Sequence, residues 1–121
     1  MHELSIAYEI NGIVDQYVKP EQKKLIKSVR VKIGKLQNIL PDSLIFCFEA
    51  LNSAGNYIGP KLEIEQISVA IQCKNCGSIN EIDGFAFGCN GCGSTDIKVI
   101  RGNELYVTEI ELYDDNQEVL N

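Results

Sequence analysis

No run of apolar residues in this 121-residue chain approaches the roughly 18 that a membrane-spanning helix requires, so a membrane is not an expected partner. The opening Met-His-Glu-Leu-Ser-Ile lacks a basic stretch leading into an apolar block and a small-residue cleavage site. A secretory signal is therefore not expected, and a cytoplasmic location is. Basic residues are scarce, 11 against 17 acidic ones for a formal net charge of -6, and the nearest thing to a cluster is Lys19, Lys23, Lys24 and Lys27. A phosphate-binding surface needs clustered Lys and Arg, because counterion release supplies most of its affinity. Nucleic acid is not an expected partner either. Histidine occurs once, as His2, which leaves none for a catalytic triad, and the chain carries no Walker-type Gly-x-x-x-x-Gly-Lys and no nucleophile elbow. These absences argue against an enzyme.

What is present fits a small folded protein. Hydrophobic residues at 45 % and charged residues at 23 % are ordinary globular proportions, and the length allows one core with a small satellite. Ile6, Ile10, Ile13, Val14 and Tyr17 recur at helical spacing, so residues 3–19 read as a first helix that Pro20 ends. Val29, Val31 and Ile33 alternate with polar residues as in a half-buried strand over 28–33, closed by Gly34. Pro41-Asp42-Ser43 opens a second helix whose apolar face is Leu44, Cys47, Phe48 and Leu51, with Cys47 a buried hydrophobe rather than a reactive thiol. Lys61–Ile71 reads as a long strand whose apolar phase slips near Glu65 and Gln66, through a bulge or a passage between layers. Strands over 97–100 and 105–112 follow, separated by a turn at Gly102-Asn103.

The expected fold is α+β: a small mixed or antiparallel sheet of about three strands with two helices, plus an inserted zinc-ribbon-like module. Residues 1–71 and 98–121 would form the α+β domain and 72–97 the insertion.

The insertion carries the strongest chemical signal. Cys73-Lys-Asn-Cys76-Gly77 is followed, with twelve residues between Cys76 and Cys89, by Cys89-Asn-Gly-Cys92-Gly93. Two residues between cysteines let a tight turn aim both sulfurs at one point, and the following glycines let the backbone curl so that amides face them. Four thiolates make the closed tetrahedral shell of a structural zinc site, with no position left for catalytic water. Tetrahedral sulfur sites also admit iron. Redox thiols need only one such pair, and disulfides do not suit a cytosolic chain. The stretch between the pairs, with Ile82, Phe85 and Phe87, reads as a short hairpin with little core of its own. Lys74, Glu81, Asp83, Asp96 and Lys98 leave the module slightly acidic, unlike a DNA-binding ribbon. A further acidic cluster stands at Asp114, Asp115 and Glu118.

The N-terminus offers a second constellation. The Met1 amine, the His2 and Glu3 amide nitrogens and the His2 imidazole lie within one short chelating loop, although a terminal histidine can equally be merely solvated. Planar nitrogen donors suit Ni(II) or Cu(II), while zinc prefers a tetrahedron.

Taken in order, Met1-His2-Glu3 opening a helix, Lys32-Ile33-Gly34 ending a strand, Phe46–Leu51, the paired Cys-x-x-Cys units and Gly102-Asn103-Glu104-Leu105 before Ile110-Glu111 resemble one family over essentially the whole length. It is the hydrogenase nickel-incorporation family, the HypA-type nickel metallochaperones. The resemblance implies a carrier that delivers Ni(II) to the large subunit of [NiFe]-hydrogenase during maturation. It implies work beside a nickel-binding GTPase, with urease served by some members. It also implies that His2 is the nickel ligand, with main-chain nitrogens of Met1 and Glu3 completing the site. Some relatives add a carboxylate from the loop before the second helix. The equivalent position here is Leu40, with Asp42 two residues on, so the Met1 amine is the expected fourth donor. The reading from another class is an acidic zinc-ribbon adaptor that binds proteins without holding nickel.

Overall fold

The computed structural model describes residues 2–82 and 87–113. Met1, the Phe85 position of the expected hairpin and the acidic cluster Asp114, Asp115 and Glu118 lie outside them. The elements in order are α1 (His2–Tyr17), a 3-10 turn (Pro20–Leu25), β1 (Ile26–Gly34), a second 3-10 turn (Lys35–Gln37), α2 (Pro41–Asn52), β2 (Lys61–Ile67), β3 (Val69–Cys73), β4 (Ile79–Ile82), β5 (Ile97–Arg101) and β6 (Leu105–Leu112). The fold class is α+β, with two sheets of three strands, ordered β2-β1-β6 and β4-β3-β5. Residues divide into two compact units: Met1–Val31 with Ile39–Glu65 and Tyr106–Asn121, and Lys32–Asn38 with Gln66–Leu105.

In the first unit α1 and α2 pack together. Ile6, Ala7, Ile10 and Val14 form a buried stripe on α1, because residues three and four apart share one helix face. Leu44, Cys47 and Phe48 form its counterpart on α2. Burying a side chain such as Phe48, 1 % exposed, contributes about 1.5–3 kcal/mol. Cys47 is part of that face, as expected for a small hydrophobe. Pro41 suits the first helical position because its missing N–H is not needed there. At the other end, Asn52 Nδ2 donates to the Phe48 carbonyl at 2.8 Å and to Asn11 Oδ1 at 3.1 Å, tying α2 to α1. Val29 and Val31 alternate into the core from β1, while Arg30 on the opposite face meets Glu63 of β2 at 2.8 Å and Glu109 of β6 at 3.6 Å. Those carboxylates raise the Arg30 pKa, the Glu63 hydrogen bond first among them.

In the second unit β3 is central and antiparallel to both neighbours, with Ile71 opposite Asn80 of β4 and Val99 of β5. Val69, Ile71 and Ile82 form its small core, joined by the partly buried Leu36 and Ile97. Leu36 N–H donates to the Gly102 carbonyl at 2.8 Å, and Gly34 N–H to that of Glu104 at 2.9 Å.

One expectation needs correction. The single long strand over 61–71 is two strands in different sheets, broken at Ser68. The phase slip therefore marks the break between two strands, and polar contacts within the second unit hold Ser68 at that break. Arg101 donates to the Ser68 carbonyl at 3.1 Å and to its hydroxyl at 2.9 Å, and that hydroxyl donates to Glu81 at 2.7 Å. Arg101 also donates directly to Glu81. Of the stretch expected as a hairpin, residues 83–86 lie outside the described residues, and Ile79–Ile82 pairs as β4 with β3, where Ile82 stands opposite Val69. A strand added to β3 buries Ile82 in a shared core, which a free-standing hairpin could not do.

Candidate metal centre

Cys73 is the last residue of β3, and its N–H donates to the Ser78 carbonyl at 2.9 Å. Gly77 N–H returns to the Cys73 carbonyl at 2.9 Å, closing a loop that carries Cys76 back toward Cys73. Gly77 stands at φ 79°, a left-handed conformation that glycine adopts without steric cost. The second pair repeats the construction: Cys89 N–H donates to Ser94, Gly93 N–H donates to Cys89, each at 2.9 Å, and Gly93 stands at φ 76°. The repeated Cys-x-x-Cys-Gly sequence thus encodes a repeated hydrogen-bonded loop.

The two loops bring all four sulfurs within 4.8 Å of one another. Cys73 and Cys92 sulfurs are 3.6 Å apart, as are those of Cys76 and Cys89. A disulfide requires about 2.05 Å, so these are facing free thiols. A tetrahedron of sulfurs with metal–sulfur bonds of about 2.3 Å has edges of about 3.8 Å, so the residues fit a four-thiolate ion. Cys73 and Cys89 are buried and Cys76 and Cys92 exposed, so the site sits at the surface of its unit.

Donors surround the sulfurs. Cys76 N–H reaches the Cys73 sulfur at 3.4 Å, and Asn75 Nδ2 reaches Cys92 at 3.8 Å. Ser78 Oγ lies 3.0 Å from Cys76 Sγ and 3.3 Å from Cys89 Sγ. The Ser78 hydroxyl, then the Cys92 main chain, draw the Cys89 pKa down to about 5. Cys76 is lowered for the same first reason. At Cys92 the Ser94 main chain favours the thiolate, but the thiol contact with Cys73 and desolvation outweigh it and raise the pKa. Cysteine spacing points to the four clustered sulfurs and passes over Ser78. The only sequence hint was its place two residues after Cys76.

At the N-terminus His2 and Glu3 stand in the first turn of α1. The His2 carbonyl accepts from Ser5 Oγ at 2.8 Å, and the Glu3 carboxylate accepts from Leu40 N–H at 3.3 Å. Asp42 is exposed in the first turn of α2. Among the described residues, only the four cysteines bring three or more ligating side chains together, so His2 and Glu3 belong to no such cluster.

Residues 1–112 match the family model described as hydrogenase/urease nickel incorporation, metallochaperone, HypA. The chain belongs to the HypA family. Among its relatives, hydrogenase maturation factor HypA of Nostoc sp. is 38 % identical over 112 residues, 93 % of this chain and 96 % of the relative. The HypA of Moorella thermoacetica is 34 % identical over 107 residues, 88 % of this chain and 95 % of the relative. The solution structure of the nickel metallochaperone HypA from Helicobacter pylori has the same fold, with a TM-score of 0.64 at 22 % identity, covering 95 % of this chain and 100 % of that one. This HypA protein is therefore a hydrogenase-maturation metallochaperone with a cysteine metal site, a role that implies contact with other maturation factors. No helix among the described residues is long and apolar enough to cross a membrane.

Proposed function

We propose that the chain carries Ni(II) at its N-terminus and delivers it to the large subunit of [NiFe]-hydrogenase, while Cys73, Cys76, Cys89 and Cys92 hold a structural zinc ion. Nickel is the cargo and is bound by the His2 imidazole, the amide nitrogens of His2 and Glu3, and the Met1 amine. The observation that carries this reading is that His2 and Glu3 stand in the first described turn of α1. The first four N–H groups of a helix lie outside its i to i−4 ladder, so metal binding at two of these amides breaks no rung. The helix dipole also favours negative charge at that end, where amides that bind nickel lose their protons. Zinc is supported by the all-sulfur donor set, whose four sulfurs lie within 4.8 Å of one another, since four thiolates are the ligand set of a structural zinc ion.

In this reading the protein makes and breaks no covalent bonds in a substrate. It works in the cytoplasm and passes nickel on beside a nickel-binding GTPase. Hydrogenase is favoured over urease as recipient because the relatives are named hydrogenase maturation factors. Nickel titration by calorimetry, with and without His2→Ala, tests the proposal. Specific binding should be lost in the variant while metal content at the cysteines is unchanged. Equal affinity in both proteins would leave the acidic zinc-ribbon adaptor as the better account.

A further inference from the structure

Four thiolates on one divalent ion leave two net negative charges, and the hydrogen-bond donors around the sulfurs decide how reactive each remains. Those donors are unevenly shared. Cys73 receives the Cys76 N–H at 3.4 Å. Cys89 receives main-chain donors from Gly91 and Cys92, and Asn80 Nδ2 at 3.8 Å. Cys92 receives the Ser94 main chain and Asn75 Nδ2 at 3.8 Å. Cys76 is exposed, and among the described N–H and O–H groups it is served by Ser78 alone, through both main chain and hydroxyl.

The hydroxyl is itself oriented. Its oxygen accepts from Asn80 Nδ2 at 3.4 Å and stands 3.0 Å from Cys76 Sγ and 3.3 Å from Cys89 Sγ. A serine hydroxyl has one proton and two lone pairs. With the Asn80 amide on the oxygen, the proton is left to point at the sulfurs. Metal-bound thiolates can only accept, so that proton goes to the nearer Cys76 or is shared with Cys89.

We propose that Ser78, held by Asn80, is a positioning residue that shields the Cys76 thiolate and sets how slowly the site exchanges its metal. A carrier of one divalent d-block ion must keep that cargo from exchanging into its own thiolates, and of the two exposed cysteines, Cys76 and Cys92, it is Cys76, served by a single residue, where such exchange starts. The proposal rests on the structural-metal reading. Absence of bound metal in the unsubstituted protein would defeat that reading before any variant is compared.

The test uses the full metal-loaded chain and three readouts: zinc transfer to an excess of chromogenic chelator, iodoacetamide alkylation mapped by peptide mass, and the cobalt(II)–thiolate absorption after cobalt substitution. Ser78→Ala should lose zinc about tenfold faster. Cys76 should become the first sulfur alkylated, and the charge-transfer band should move to lower energy, because a thiolate that keeps only the main-chain donor of residue 78 gives up an electron more readily. Ser78→Thr should stay near native in all three, and Asn80→Ala should fall between. Native rates and a native cobalt band in Ser78→Ala, or failure of Ser78→Thr to retain them, would overturn the proposal. If Ser78→Ala holds no metal, Asn80→Ala decides: faster exchange beginning at Cys76 supports the proposal, and native behaviour refutes it.

Discussion

The Glu3 carboxylate accepts a hydrogen bond from the main-chain N–H of Leu40 at 3.3 Å, so the first turn of α1 is tied by a side chain to the residue that precedes α2. Leu40 brings no ligating side chain of its own, and the contact occupies one Glu3 oxygen. Glu3 is thus better placed to give nickel its amide nitrogen than its carboxylate. Two substitutions separate these contributions. Glu3→Ala keeps the amide and should change nickel affinity by less than about threefold, with stability within about 0.5 kcal/mol of native. Glu3→Pro removes the N–H at a helix position where proline is tolerated, and should abolish specific nickel binding while preserving the fold. Calorimetry and circular dichroism check both. Retained nickel binding in Glu3→Pro would show that the Glu3 amide is not a donor.

Gly34 and Gly12 should respond oppositely to the same substitution. A Cβ at Gly34 would meet the main-chain carbonyl of Gly102, and neither backbone can yield without breaking the Leu36 to Gly102 hydrogen bond. Gly34→Ala should cost more than about 3 kcal/mol, as overpacking against backbone does. Gly12 lies exposed within α1 with nothing within 4 Å of an added Cβ. Gly12→Ala should stabilise by about 0.5–1 kcal/mol through the lower entropy of the unfolded chain. Urea unfolding of the two variants measures the contrast.

Helices, the first strands and the cysteine loops were legible in the sequence because each rests on a local rule. Ile6, Ile10 and Val14 announce α1 by spacing, Pro41 announces α2, and the Cys-x-x-Cys-Gly repeat announces two equal loops. What escaped depends on long-range partners. Nothing near Ser68 in sequence says that Arg101 and Glu81 will hold it where β2 ends and β3 begins. The pairing of β4 with β3 was hidden because the apolar residues around Ile82 satisfy a local hairpin pattern equally well. Ser78 escaped because a hydroxyl carries no ligand signature until the sulfurs are placed around it.

The polar contacts at Ser68 should make part of the stability of the second unit depend on acid. Glu81 has its pKa lowered, first by the Ser68 hydrogen bond and then by the Arg101 charge. A carboxylate lowered in the folded state contributes stability that is fully present above its unfolded pKa of about 4.3 and is lost as pH falls through the folded value. Native protein should therefore melt above Glu81→Gln by a constant margin between about pH 5.5 and 7.5. The margin should close only below about pH 4.3. Any metal loss in acid affects both proteins alike. A margin that closes near neutrality would mean that Glu81 is not the group responsible.

Metal removal should dissolve the two units unequally, because their cores differ. In the second unit the buried cluster is Val69, Ile71 and Ile82 with partial cover from Leu36 and Ile97, and both cysteine loops depend on sulfurs that repel one another as thiolates. Without an ion to gather them, that cluster is too small to offset the entropy of ordering two loops. The first unit buries Ile6, Ile10 and Val14 of α1, Leu44 and Phe48 of α2, and Val29 and Val31 of β1, with no cysteine of the four-sulfur set among them. Chelation, or Cys76→Ser, should therefore abolish hydrogen-exchange protection at the amides of Gly77, Cys89 and Gly93 and through β3. Protection at Ile10, Val14 and Val29 should survive with a loss of less than about tenfold. Uniform loss of protection would show that the metal holds the entire chain together. Unchanged protection at Gly77 and Gly93 would show that the loops fold on their hydrogen bonds alone and need no ion.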